Sequence, residues 1–337
     1  MTTPLLSVEG LTLDFDSSAG PLHALDDVSF AIAPGECVAL VGESGSGKSV
    51  TGLAVMRLLA KRAVIRSGRI MFGGQDLLRL GEREMRAARG RRIAMIFQNA
   101  KNSLNPIRSI GDILVDLLRT HTPGLSRREA HGRIVELLGA IGIAAPEKRM
   151  RAYPSELSGG MCQRIMIAAA FACNPELIIA DEPTSALDVT TQQLVMELLM
   201  KLCRERGVAT VFITHDLALA SEWCDRAIVM HAGQILETGP VAGVLEAPRH
   251  PYTRMLLDSL PYGKESVTEL RPMGGALPNL RRADLPRCRF AGRCPRVSDV
   301  CVRSALPDRV VGPGHVVRCH HALAAGETLA TQARGEA

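Results

Sequence analysis

The eight residues Gly42-Glu43-Ser44-Gly45-Ser46-Gly47-Lys48-Ser49 constrain this chain more than any other segment. They fit the pattern GxxxxGK[ST], follow the apolar stretch Cys37 to Val41, and precede a helical stretch from about Lys48 to Ala60. In a strand-loop-helix setting the glycines let backbone N–H groups close around phosphate oxygens, and the helix N-terminus adds a favourable dipole. Lys48 can then reach the β/γ-phosphates, and the Ser49 hydroxyl can ligate Mg²⁺.

The rest of the chain supplies a matching framework. Short apolar runs at Cys37–Val41, Ile93–Phe97, Leu177–Ala180, Val208–Thr214 and Ala227–Met230 alternate with helical segments, the rhythm of buried parallel strands in an α/β fold. Before them, Leu11-Thr12-Leu13-Asp14-Phe15 and Val28-Ser29-Phe30-Ala31-Ile32 alternate apolar and polar residues between Gly-Pro and Pro-Gly turns, which predicts an antiparallel edge sheet. Between Asn99 and Tyr153 the strand signal vanishes. Apolar residues there follow helical spacing at Ile110, Ile113, Leu114, Leu117 and Leu118, then at Ile134, Leu137, Leu138 and Ile141, with a capping box at Ser126-Arg127-Arg128-Glu129. The expected organisation is an ATPase-like domain over 1–262, with a helical subdomain over about 99–175, and a small Cys-rich extension over 263–337.

Two further segments carry chemistry. Leu177-Ile178-Ile179-Ala180 runs into Asp181-Glu182, adjacent carboxylates at the end of a buried strand. Beside a phosphate loop, Asp181 would hold Mg²⁺ through its shell and Glu182 would orient and polarise an attacking water as general base. Leu157-Ser158-Gly159-Gly160-Met161-Cys162-Gln163 precedes the apolar stretch Ile165 to Cys173, which Asn174-Pro175 closes as a helix. Ser158 reads as its N-cap. A helix N-terminus with two bare glycines is also an anion site presented outward, and a chain that already cradles phosphate has use for it only on a partner's nucleotide.

These motifs, with Ser185-Ala186-Leu187-Asp188 and His215 after the strand Val211-Phe212-Ile213-Thr214, resemble in order and over residues 5–245 the nucleotide-binding subunit of an ABC transporter. The resemblance implies a head-to-tail dimer, each ATP lying between one subunit's phosphate loop and the other's Ser158-Gly159-Gly160. It also implies that Gln98 senses Mg²⁺ and the transmembrane partner, that Asp188 contacts across the dimer, and that His215 holds the γ-phosphate and the attacking water. Phe15 is the candidate for stacking on adenine, and its alternating pattern fits a core strand equally well.

Finer features are similar to the dipeptide/oligopeptide and nickel importers. Gln98-Asn99-Ala100-Lys101-Asn102-Ser103-Leu104-Asn105-Pro106 resembles their Q-loop, and His250-Pro251-Tyr252-Thr253 resembles the stretch after their ATPase domain. Met161 with Ile165-Met166-Ile167-Ala168 looks like the first, D-type, of the two ATPases of a peptide permease. Cys162 departs from the basic residue that the family carries there at a surface contact. The resemblance implies two membrane-spanning permease subunits, a second, different ABC ATPase and an extracytoplasmic substrate-binding protein as partners, and a peripheral place on the cytoplasmic face of the cell membrane. Nickel or another small solute as cargo, or a soluble non-transport ABC ATPase, are the alternative functions. The latter typically resembles two fused halves, and this chain has one set of motifs and no internal repeat.

Composition bears on partners. The 337 residues include 40 Lys and Arg against 35 Asp and Glu, a net charge of +5. Residues 271–320 alone hold ten Arg and three Asp, so the basicity belongs to the tail. That window has one aromatic residue, Phe290, and so no stacking platform for RNA; no nucleic-acid partner is expected. The longest purely apolar run, Ile165 to Cys173, has nine residues, where a membrane-spanning helix needs about 20. With no secretory signal pattern at its start, the chain is expected to keep its thiols reduced.

Four of the nine cysteines, Cys288, Cys294, Cys301 and Cys319, lie in the same window, separated by five, six and seventeen residues. This matches neither C-x₂-C zinc spacing nor the common ferredoxin runs. Four thiolates suit an iron–sulfur cluster, and some peptide-importer subunits that the chain resembles carry a [4Fe–4S] cluster there. Zinc, unliganded thiols and disulfides stay open beside it. ATP and Mg²⁺ are the other expected cofactors.

Overall fold

The computed structural model describes residues 3–260, 266 and 270–329. The expected boundary at 262/263 lies outside the described residues. The chain folds into two compact units: one takes Leu6–Ile32, Cys37–Leu78 and the residues from Ile213 onward, the other Ala33–Glu36 and Arg79–Phe212.

The first unit opens with β1 (Leu6–Phe15) and β2 (Leu22–Ile32), followed by β3 (Cys37–Val41), α1 (Lys48–Val55), β4 (Ala63–Phe72) and β5 (Gln75–Asp76). β1 pairs antiparallel with both β2 and β4, giving the order β2-β1-β4-β5, the antiparallel sheet that the alternation predicts with β4 and β5 added. Leu6, Val8, Leu11 and Leu13 are buried on its inner face. α1 stops at Val55 rather than near Ala60, because Arg57 turns to φ 50° and its guanidinium donates to the Leu77 carbonyl at 3.1 Å.

The second unit contains α2 (Glu82–Ala88), β6 (Ile93–Ile96), α3 (Ala100–Ser103), α4 (Ile110–His121), α5 (Arg127–Ala140), α6 (Pro146–Arg149), α7 (Gly159–Phe171), β7 (Leu177–Asp181) and α8 (Val189–Arg206). β6 and β7 pair in parallel and are buried along their whole length, save for solvent at the tip of Asp181. α4 and α5 carry the expected apolar stripes, with Ile110, Leu114, Leu118, Ile134 and Leu138 buried. The Ser126 hydroxyl accepts the Glu129 N–H and Glu129 accepts the Ser126 N–H, the reciprocal cap expected there.

β8 (Ala209–Thr214) leads back into the first unit, where α9 (Leu217–Trp223), β9 (Arg226–His231), β10 (Gln234–Pro240), α10 (Val241–Glu246) and α11 (Pro251–Asp258) follow. β9 runs parallel to β3 and antiparallel to β10. The tail adds α12 (Asp299–Arg303) and a hairpin, β11 (Asp308–Gly312) and β12 (His315–Arg318), whose second strand pairs with β10 through Glu237↔Val317 and Thr238↔Val316. The fading periodicity of the tail hid this pairing. The buried Glu237 carboxylate secures it, accepting the Arg249 and His250 N–H groups at 2.7 and 2.9 Å and lying 2.7 Å from His315 Nε2.

Candidate functional site

The phosphate loop closes on itself around Lys48. Its side chain is buried, and Nζ donates to the carbonyls of Gly42 at 2.8 Å and Glu43 at 3.0 Å, with Ser46 Oγ at 3.5 Å. Ser44, Gly45 and Ser49 are exposed, so the loop's outer face is open to solvent. Gly42 cannot be replaced without moving the loop: φ is 147°, and a Cβ would lie 2.1 Å from the Met230 carbonyl oxygen on β9. The chain can therefore wrap an anion with N–H groups while Lys48 waits, already desolvated, against carbonyl oxygens that a phosphate can replace.

In the other unit, Asp181 ends β7 almost fully buried, and Glu182 follows it with φ at 44°. A left-handed non-glycine residue costs about 1–3 kcal/mol and persists only where its surroundings impose it. Here Gln98, just after β6, donates from Nε2 to Glu182 Oε2 at 2.7 Å. The parallel pairing of β6 with β7 thus brings Gln98 and Glu182 together from positions 84 apart in sequence.

The second anion-type site lies on the same unit. Ser158 caps α7, its hydroxyl accepting the Met161 N–H at 3.3 Å, and Ser158 and Gly159 are exposed. Gly160 is fixed by contact: a Cβ there would lie 2.6 Å from the Thr191 methyl. Asp188 caps α8 by accepting the Thr191 N–H at 3.0 Å, and that backbone bond holds its carboxyl below the usual range. Ser158, Gly160, Arg164, Asp188 and Thr191 border a cavity of about 490 Å³. Cys162, where the family carries a basic residue at a surface contact, is buried, its thiol 3.6 Å from the Pro154 carbonyl, and burial pushes the thiol's pKa up.

His215 is exposed in the turn from β8 into α9. The turn is braced on its far side, where Thr214 Oγ1 accepts the Asp216 N–H at 2.9 Å and Asp216 caps α9 through the Ala218 and Leu219 N–H groups. Phe15 ends β1 half-buried, opposite Leu22 and Ala63.

The four tail cysteines come together as free thiols: each of the other three lies close enough to Cys288 to act on it electrostatically. Burial raises Cys288 to about 12 and Cys319 to about 11, and pushes Cys294 up. The Cys288 N–H donates to the Cys301 carbonyl at 2.9 Å, and the His321 N–H points at Cys319 Sγ at 3.3 Å. Among the described residues no group of three or more His, Cys, Asp or Glu is spaced to hold a single metal ion.

One set of contacts escaped the sequence altogether. Arg293 of the tail grips Glu43 of the phosphate loop with two hydrogen bonds, at 2.7 and 2.9 Å. Tyr252 on α11 accepts the Glu43 N–H at 3.0 Å, and His231 Nδ1 lies 3.6 Å from Glu43 Oε2. His231 and Arg293 together hold the Glu43 carboxyl down at about 2. Burial keeps His231 below its ordinary range, so at neutral pH the positive partner is Arg293. The available signal was Phe290 between two arginines, the sole aromatic of the Arg-rich window and fully buried.

A phosphate loop at the turn from a buried strand into a helix, with a carboxylate pair at the end of another, defines a P-loop nucleotide-binding protein. The comparisons sharpen that class. Residues 25–185 match the ABC transporter family, and residues 236–301 match the oligopeptide/dipeptide transporter C-terminal region. The chain is 42% identical over 320 residues to the dipeptide transport ATP-binding protein DppD of Escherichia coli (strain K12), covering 95% of this chain and 97% of that one. Among solved structures, it is similar to the ATP-binding cassette MJ0796 in a dimeric post-hydrolysis state bound to ADP and Pi, with 30% identity, a TM-score of 0.63, and coverage of 70% of this chain and 98% of that one. It is also similar to cbiO1 from Clostridium perfringens, part of the ABC transporter complex cbiONQ, with 27% identity, a TM-score of 0.60, and coverage of 72% and 90%. The chain belongs to the ATP-binding subunits of ABC transporters, in their oligopeptide/dipeptide branch, and is an ATPase coupled to transport.

Proposed function

We propose that this chain drives uptake of dipeptides or oligopeptides, with ATP bound at Gly42–Ser49. The observation that carries the reading is that the similarity to a dipeptide transport ATP-binding protein runs through 95% of the chain, tail included. Ser49, Gln98 and Asp181 would hold Mg²⁺, and Glu182 would act as general base on a water that Gln98 and His215 help to place. Phe15 offers its ring to adenine. Gln98 is suited to a catalytic role by its 2.7 Å bond to Glu182, which ties the state of one to the state of the other. The cavity beside Ser158 and Gly160, with Asp188 at its border, receives the nucleotide held by a second ATPase. That second ATPase is a different chain, and two permease subunits and an extracytoplasmic substrate-binding protein complete the importer. No described helix is long and apolar enough to cross a membrane; by its likeness to a dipeptide transport ATP-binding protein, this subunit attaches peripherally to the permeases, on the cytoplasmic face.

The test is uptake of labelled dipeptide, longer oligopeptide and nickel in a strain lacking the gene. Complementation with wild type, and not with Glu182→Gln, should restore peptide uptake, and the preferred length names the substrate. Peptide uptake indifferent to the gene would reassign the cargo.

The tail is proposed to hold a [4Fe–4S] cluster on Cys288, Cys294, Cys301 and Cys319. What supports it is four free, mostly buried thiols, three of them within electrostatic reach of Cys288. When bound, such a cluster supplies a redox-active or purely structural crosslink; the thiols must shed protons to hold it. Anaerobic purification is expected to yield brown protein with about four irons and four acid-labile sulfides per chain, lost on Cys288→Ser. Colourless protein without iron removes the cluster.

A further inference from the structure

The grip of Arg293 on Glu43 joins the two most distinctive parts of the sequence, the phosphate loop and the Arg/Cys tail. Arg293 ends a short 3-10 turn, Ala291–Arg293, immediately before Cys294, and its side chain is only 5% exposed. Every group around it fixes its direction. Its Nε donates to the Gly274 carbonyl at 3.0 Å, its guanidinium lies 5.9 Å from the Phe290 ring centre, and its two terminal nitrogens donate to the two Glu43 oxygens. A planar fork held at its base in this way presents one geometry to a carboxylate. The Phe290 ring is itself locked, 5.2 Å from both His231 and Tyr252.

Glu43 is held at three points by three different elements. Its carboxylate is held by Arg293, its N–H by the Tyr252 hydroxyl on α11, and its carbonyl by Lys48 at the start of α1. Downstream in the same loop, Leu277 of the tail rests against Gly45, with its methyl 3.2 Å from where a Cβ would stand. A phosphate loop must present its N–H groups in one concave arrangement, and conformational freedom in the loop before binding subtracts from affinity. The bonds to Glu43 remove that freedom at the loop's second residue.

We propose that Arg293 is a positioning residue for ATP: by clamping Glu43 it holds the phosphate loop in its binding conformation, so that the C-terminal extension sets the affinity of the ATPase for nucleotide. The inference rests on the reading of the chain as a transport ATPase and deepens it. The extension becomes part of the apparatus that shapes the nucleotide site, and any change that moves the turn before Cys294 reaches the loop through one side chain.

The experiment measures MgATP binding to the full-length chain by displacement of trinitrophenyl-ATP, for wild type, Arg293→Met, Arg293→Lys, Glu43→Gln and the double variant Glu43→Gln/Arg293→Met. Arg293→Met is expected to raise the Kd for MgATP about tenfold, the loss of one charged hydrogen-bonded pair. Arg293→Lys should recover part of that loss, keeping the charge without the fork. The double variant should bind no worse than the weaker single variant, because both substitutions remove the same interaction. In the assembled importer, Arg293→Lys should raise KM for ATP by its Kd factor with kcat at saturation little changed. A residue that merely supports the tail would instead lower thermal stability and leave the Kd of the folded chain alone. Glu43→Gln, which leaves the extension's sequence intact, keeps the test decisive should Arg293→Met fold poorly. Singles that bind like wild type, or a double variant whose effects add, overturn the clamp while leaving the ATPase reading in place. Wild type that binds no MgATP sinks both.

Discussion

Glu182→Gln is expected to leave MgATP binding within about threefold of wild type and to lower ATP turnover by about 10²- to 10⁴-fold, the range that a positioned general base contributes. The substitution is close to isosteric, and the bond that defines the site survives it: Gln98 Nε2, now 2.7 Å from a carboxylate oxygen, can donate equally to an amide oxygen. The left-handed backbone at φ 44° is unchanged, so the strain and the shape of the turn after β7 remain. What disappears is proton affinity, since an amide cannot take a proton from water at neutral pH. The phosphate loop, with Lys48 and its carbonyl acceptors, lies in a different part of the sequence and keeps its own hydrogen bonds. Phosphate release by the assembled importer, read beside nucleotide binding by the same preparation, checks the result. Turnover within threefold of wild type would remove Glu182 from the base assignment and leave Asp181 or His215 to be tested in its place.

The parts of this site that could be read in the sequence are those whose chemistry is local. A phosphate loop needs glycines, a lysine and a hydroxyl within eight residues, and a capped helix start needs a serine and two glycines in a row, so Gly42 to Ser49 and Ser158 to Gly160 announce themselves. Strands buried on both faces, such as β3 and β7, are continuous apolar runs and are equally plain. Sequence failed where partners lie far apart. Glu43 and Arg293 are 250 residues distant, and Glu237 and His315 are 78, so no local pattern could pair them. The hairpin of β11 and β12 was there to be found in Arg309-Val310-Val311-Gly312-Pro313-Gly314-His315-Val316-Val317, a Pro-Gly turn between β-branched pairs, but an exposed strand with Val310 facing solvent lacks the alternation that marks a half-buried one. Cys162, by contrast, was legible: a thiol where the family carries a basic residue already puts a surface contact in doubt, and the position is buried.

The second large effect is expected at Lys48. Lys48→Met should weaken MgATP binding by at least about a hundredfold, because it removes a desolvated charge aimed at phosphate while keeping most of the side chain's volume, so that packing is little disturbed. The ammonium also serves a second purpose. It is a donor to the Gly42 and Glu43 carbonyls, and although the Glu43 carbonyl keeps the Ser46 N–H, taking this donor from the buried Gly42 carbonyl costs about 1–3 kcal/mol, so the variant should also melt at lower temperature. The two effects separate by ligand. Loss of charge discriminates among nucleotides, and the ratio of wild-type to variant affinity should fall from ATP to AMP and approach one for adenosine, whereas a collapsed loop would weaken every nucleotide that touches it. Lys48 and Arg293 share Glu43 as a common anchor, one at its carbonyl and one at its carboxylate, so their substitutions should couple rather than add. A Lys48→Met chain that binds MgATP within twofold of wild type would mean that the loop's N–H groups alone hold the phosphates, and that the interior position of Lys48 serves the fold of the loop rather than its ligand.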